Sequence, residues 1–244
     1  MLRLPQRRKG FFTENIASDL FLEVELMVLA IATGIMDAIT FPDYHVFVSN
    51  QTGNTALLAV GALSIGGGIV DLRHVGLSLG AFVAGGLVCG QLGNRIGRLS
   101  RIWLLVTHIF QTALVFAAAG LDSRTHTIDD MSTSSVDLGI IALLAFASGA
   151  QVASARTVYV PEVPTAMVTS AYIDFLVDPD MFSMHNRPRN RRFFFIGCLL
   201  LGSFLGAISY RYYSPALALF LSGICKALVC LGLLFNPPAD PERV

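Results

Sequence analysis

The amino-acid sequence predicts an all-α integral membrane protein with about six full transmembrane helices and two short broken or re-entrant segments, the alternative being eight full spans. Three observations predict it. The 244 residues are 54% hydrophobic and only 14% charged, with a mean hydropathy of +0.63; a soluble domain carries about 25% charged residues. Apolar stretches of bilayer-spanning length recur along the whole chain. The two halves also repeat one order of features, which predicts an internal duplication of the kind seen in transporter folds.

The elements follow in order. Residues 1–21 read as a cytosolic amino-terminal arm. The arm starts basic, but it lacks the apolar centre and small-residue cleavage site of a secretory signal. The first membrane repeat, 22–120, holds apolar stretches at 22–41, 47–69, 75–97 and 102–120. A polar linker loop at 121–137, LDSRTHTIDDMSTSSVD, separates it from the second repeat, 138–235. That repeat holds apolar stretches at 138–157, 163–177, 193–211 and 215–235, before a carboxy-terminal tail at 236–244. Backbone groups in lipid must be satisfied internally, so each spanning stretch should be helical.

The weak stretches are the second and the sixth. The second opens on the polar block SNQTGNT, Ser49–Thr55. The sixth is short, begins near Pro164 and carries Asp174. Counting basic residues favours their not crossing. With eight spans and a cytosolic amino terminus, eleven Lys and Arg fall inside and five outside. With the two weak stretches re-entrant, the split is 13 to 3. Three crossings per half also make the halves inverted repeats. Gly34 and Gly149 stand 115 residues apart, Thr52 and Thr169 117, and Gly86 and Gly90 stand 116 before Gly202 and Gly206.

Composition excludes several function classes. Net charge is zero, so no basic balance points to nucleic acid. Cys89, Cys198, Cys225 and Cys230 sit in apolar stretches without CxxC spacing, which predicts inert thiols and no metal. No phosphate loop and no HExxH occurs. The five histidines, at 45, 74, 108, 126 and 185, are scattered. The expectation is therefore a protein that is not an enzyme and needs no cofactor or metal.

The candidate functional residues are polar groups in apolar surroundings. Asp37 lies inside the first span, where a carboxylate is costly and marks a functional site by default. Asn50, Gln51, Thr52, Gly53 and Asn54 form the polar block; a helix starting there aims free N–H groups into the membrane. Such side chains either hold a solute or hydrogen-bond neighbouring helices. The matching region of the second half holds Gln151, Thr165 and Thr169, around a break made by Pro161 and Pro164. Arg156 and Glu162 flank that break and read as interfacial. Asp174 and Lys226 are isolated charges; Lys226 is a candidate partner for Asp174 or Asp37, or snorkels to the interface. His108 and Gln111 share a helix face. Gly86, Gly90, Gly202 and Gly206 are helix-packing positions.

These residues resemble a known pattern. GIMDAITF followed by VFVSNQTGNTALLAVG, with SGAQVASAR and TAMVTSAY in the second half, resembles the YoaK-type membrane proteins (domain of unknown function 1275). The resemblance covers about residues 22–235, with Ser170 standing where the family has Gly. It implies a multi-pass membrane protein, and the long 121–137 loop resembles a fungal elaboration. It supplies no established activity. The expected function is a transporter or permease of a small solute or ion; the alternative is a non-transporting scaffold or assembly factor. The expected partners are the lipid bilayer, an unidentified small molecule or ion and further copies of the chain in a homo-oligomer.

Overall fold

The computed structural model describes residues 10–65, 68–125, 133–183 and 185–239. The described residues form eight α-helices and no strand beyond two isolated bridges. Six helices are long and apolar enough to cross a bilayer: α1 (Leu20–Tyr44), α3 (Leu72–Ile96), α4 (Arg101–Thr125), α5 (Thr133–Thr157), α7 (Arg187–Tyr212) and α8 (Pro215–Gly232). Two are short: α2 (Gln51–Ala62) and α6 (Val168–Leu176). These correspond to the weak second and sixth stretches.

Local chemistry sets the ends. The Asp19 carboxylate accepts from Leu22 N–H to start α1, and His45 closes it in the left-handed conformation. Asp71, Asn186 and Ser214 cap α3, α7 and α8 in the same way, each satisfying a donor that a helix start leaves free. The Arg73 guanidinium beside Asp71 holds its carboxyl below the usual carboxylate range.

Contacts between helix ends fix the direction of every long helix. The face where α1 begins is called the near face here. His74 Nδ1 lies 3.3 Å from Tyr44 O, so α3 starts at the far face, where α1 ends. Arg101 N–H donates to Glu14 O at 3.0 Å, so α4 starts near. Ser18 Oγ donates to Val158 O at 2.9 Å, so α5 ends near. Arg191 meets Glu23 at 2.7 Å, so α7 starts near, and Tyr210 OH donates to Asp43 at 2.6 Å, so it ends far. Arg101 Nη1 donates to Leu233 O at 2.5 Å, so α8 ends near. The chain therefore crosses six times. The segment carrying α2 leaves and returns at the far face, and the segment carrying α6 at the near face. The first three long helices run opposite to the last three.

α1, α4, α5 and α8 form the centre; α7 packs on α1, α3 on α5, α2 on α3 and α6 on α7. The spanning windows of α1 and α5 are each 61% buried, against 22% for α3 and α7, so the outer pair faces lipid. Both outer contacts rest on glycines. A Cβ on Gly34 would lie 2.7 Å from Ser203 N, and one on Gly202 or Gly206 would strike the α1 backbone. Across α3 and α5, Gly85 meets the Phe146 backbone and Gly149 the Phe82 backbone with no room for a side chain. Gly86 and Gly90 face α5 at ordinary distances, 3.6 Å from Gly149 O and 3.9 Å from Ala153 Cβ.

The apolar interior is in two parts. Leu26, Leu29, Leu104, Val229 and Leu233 belong to the near part. Ile35, Met36, Ile39, Val115, Ile140, Ile141, Leu144 and Leu219 belong to the far part. A polar layer lies between them.

Candidate functional site

Two polar constellations stand out, one at the α1–α2 break and one in the central layer. At the break, the chain leaves α1 at Tyr44 and folds back along it. Asp37 Oδ1 accepts from Val48 N at 3.0 Å and Ser49 N at 2.9 Å, and Oδ2 from Ser49 Oγ at 2.5 Å. Asp37 precedes Tyr44 by two helical turns, so the returning strand re-enters by about 10 Å. Asn54 is fully buried. It pins both backbone groups of Phe47, accepting from its N at 3.0 Å and donating to its O at 2.6 Å. It also donates to Ser78 Oγ at 3.1 Å on α3. Gln51 Nε2 donates to Val48 O at 3.2 Å, and Asn50 caps α2 by accepting from Gly53 N at 3.2 Å. The side chains of Asn50 and Thr52 are exposed. The constellation thus holds its own loop and joins it to α1 and α3. Ser78, a polar residue on apolar α3, completes it; only its isolation in VGLSLGAF signals this from sequence.

The second break is held differently. Thr165 is fully buried with φ +63, and its Oγ1 has no hydrogen-bond partner. A β-branched residue at positive φ is strained, by on the order of 1–3 kcal/mol. Thr169 and Asp174 are exposed on α6. Glu162 pairs with Arg191 at 3.1 Å rather than with Arg156, which is exposed.

The central layer joins four helices. Lys226 of α8 is 0% exposed. Its Nζ donates to Gln151 Oε1 of α5 and, at 3.4 Å, to Gln111 Oε1 of α4. Gln151 Nε2 donates in turn to Thr33 Oγ1 of α1 at 2.9 Å, and Gln111 Nε2 to Thr107 Oγ1 at 3.2 Å. Lys226 reaches neither of the carboxylates expected as partners. Asp37 is engaged with residues 48 and 49, Asp174 faces outward, and no ion pair to Lys226 occurs among the described residues. A cation at mid-bundle is costly, about 3 kcal/mol on insertion scales. Here only carboxamide dipoles offset it. His108, one turn from Gln111, is buried with Nδ1 unpartnered.

The near face closes over this layer. Glu25 is 7% exposed; its Oε2 accepts from Asn236 Nδ2 at 2.9 Å, while Oε1 has no partner. Arg101, 1% exposed, donates to Leu233 O and Asn236 O, the carbonyl end of α8 that a cation favours. Glu23 meets Arg187 and Arg191, and Asp178 meets Arg192 at 3.1 Å. A groove of about 390 Å³ opens sideways between α1 and α8, lined by Phe21, Val24, Val28 and Leu228 with Glu25 at its floor. His45 and His185 lie at opposite faces, at the ends of α1 and before α7.

A family profile described as "Protein of unknown function (DUF1275)" matches residues 26–232, from the second turn of α1 to the end of α8. It thus includes both breaks and the whole central layer. No curated protein and no solved structure matches the chain.

Proposed function

The chain belongs to the DUF1275 family, a family of proteins of unknown function, and from that premise we propose that it is a permease of a small solute or ion, not an enzyme. One observation carries this: a fully buried Lys226 at the middle of the bundle, held by Gln111 and Gln151 with no ion pair among the described residues. Helix packing alone does not require a cation there, and intramembrane charges mark transport pathways. The layer draws one or more residues from each half, as expected where substrate sites lie between repeats.

The proposal includes an inverted duplication. Its support is the pairing of contacts: α1 with α7 and α8 mirrors α5 with α3 and α4, and α2 on α3 mirrors α6 on α7. Gly34 and Gly149 occupy matching places in these contacts. The amino terminus is proposed to be cytosolic. Among the described residues, Arg95, Arg98, Arg101, Arg156, Arg187, Arg189, Arg191 and Arg192 lie toward the near face, against Arg73, Arg124 and Arg211 toward the far face. Basic residues favour the cytosolic side.

The scaffold reading rests on a different observation. The SNQTGNT block bonds to its own loop, and the cavity between His108 and Glu25 has only about 10 Å³. Light-scattering swelling assays on proteoliposomes separate the two without labelled substrates. Polyols, amino acids, monocarboxylates and inorganic salts are each tested as osmolytes. A permease swells faster than empty liposomes in one or more of them, and Lys226→Met abolishes that difference. No difference in any leaves the scaffold reading standing.

A further inference from the structure

The near half of the bundle carries ionisable groups that no structural role accounts for. A small cavity lies between Lys226 and the near face, lined by Glu25, Leu29, Leu104, His108, Ser154 and Leu233 among others. At about 10 Å³ it has the room of one water, and it has polar groups to hold one. Two polar atoms of its lining residues are buried without partners: Nδ1 of His108 and Oε1 of Glu25. His108 stands one helical turn from Gln111, which accepts from Lys226 Nζ at 3.4 Å. On the other side of Lys226 the bundle packs Ile35, Ile39, Val115, Ile141 and Leu144, with the buried hydroxyls of Ser148 and Ser222 among them. The ionisable groups on that side are Asp37, which is engaged with residues 48 and 49, and Tyr44 and Asp122 at the far ends of α1 and α4.

We infer that Glu25 and His108 form a proton relay between Lys226 and the near face, and that the proton is the coupling ion of the permease. This rests on the permease reading and deepens it. In one direction the Lys226 ammonium swings from Gln111 to His108, one turn away on α4, and gives a proton to the imidazole, leaving a neutral amine. The imidazolium passes a proton through a water in the cavity to the Glu25 carboxylate. The resulting carboxylic acid releases it at the near face, beside Asn236. Charge and protons balance, and no oxidant or reductant is needed. The remaining groups around Lys226 fit the assignment. α1 presents Thr33 and α5 presents Gln151, which only orient; α8 adds the Cys225 and Cys230 thiols; none from α7 interacts with it among the described residues. An amine freed of its proton still accepts a hydrogen bond, so the layer holds together in both states.

The chain has two lysines, Lys9 and Lys226. A Lys9→Arg background with ¹⁵N-labelled lysine therefore gives one side-chain signal, from Lys226. The test measures proton exchange of that signal with water, in lipid nanodiscs and without substrate. Glu25→Gln and His108→Asn are each expected to slow exchange by about tenfold or more. Glu25→Asp should restore most of it, which a merely structural Glu25 would not require. Ser148→Ala, which alters a buried hydroxyl without a partner, should leave it unchanged. Unchanged exchange in both relay variants, with the fold intact by thermal melting, overturns the relay; so does equal slowing by Ser148→Ala. The readout needs no flux. A working relay without swelling activity sinks the permease reading, and swelling activity without the relay sinks only the proton coupling.

Discussion

Asn54 and Thr52 stand two positions apart in one polar block, yet they do opposite things. Asn54 replaces a strand partner for Phe47: it answers both backbone groups of a residue that has no helix to do so. Replacing it with Leu leaves the Phe47 N–H without a partner and its C=O with Ser78 Oγ alone. An orphaned group costs about 1–3 kcal/mol, so Asn54→Leu should destabilise by on the order of 2 kcal/mol. Thr52→Val, at an exposed position, should change stability by less than about 0.5 kcal/mol. Thermal unfolding followed through the single tryptophan, Trp103, reads both; equal effects would refute this division. Asp37 behaves like Asn54. Its isosteric Asn variant keeps an acceptor for the Val48 and Ser49 N–H groups and should stay folded, whereas Asp37→Leu should not. Sequence marked the whole block as important. It did not divide the block, because hydrogen-bond partners 24 to 31 residues away, such as Ser78, leave no local periodicity.

At the level of helices, the outer pair is joined to the core by backbone contact rather than by side-chain volume. Gly202→Ala and Gly149→Ala place a methyl into the backbone of Ile31 or Phe82. The helices must then separate, losing close packing along α7 or α3. A cost on the order of 2–3 kcal/mol is expected, in the range of overpacked cores. Gly197→Ala is the control: nothing lies within 4 Å of the added methyl, and exchanging Gly for Ala in a helix should stabilise by up to about 1 kcal/mol. Melting temperatures that do not separate Gly202→Ala from Gly197→Ala would refute the contact. The six long helices were legible because about twenty apolar residues in a row have few other meanings. The breaks were less so. Phe47 and Val48 read as part of an apolar stretch at 47–69, yet α2 starts only at Gln51. Hydropathy registers their side chains but not their backbone groups, which Asp37 and Asn54 satisfy. The GxxxG spacing likewise found Gly202 and Gly206 on α7 and Gly86 and Gly90 on α3, all facing a neighbouring helix, but missed Gly85, which makes the tighter contact with α5, because spacing fixes a face only to within one residue.

For the molecule as a whole, the decisive property is that each half crosses three times. An odd number turns the second half upside down relative to the first, and the two halves meet around Lys226, Gln111 and Gln151. The unbalanced basic residues already leaned that way in the sequence; the central layer did not show there, since Thr33, Gln111, Gln151 and Lys226 lie on four different helices and only folding brings them together. The same parity fixes where loops must appear. In a cysteine-free variant, single cysteines at His45, Ser64, Asp71 and Tyr213 should all label from one side of the membrane. Cysteines at Arg98, Tyr159 and Asp180 should all label from the other. Ser64 and Asp71 are the discriminating pair: if α2 crossed, the loop after it would emerge on the opposite face from His45. A membrane-impermeant maleimide added to intact cells and then to permeabilised cells reads the two sets. His45 and Asp71 labelling from opposite sides would break the six-crossing topology and, with it, the inverted relation of the halves. With the amino terminus inside, as proposed from the distribution of arginines, the His45 set labels from the non-cytosolic side and the Arg98 set from the cytosolic side.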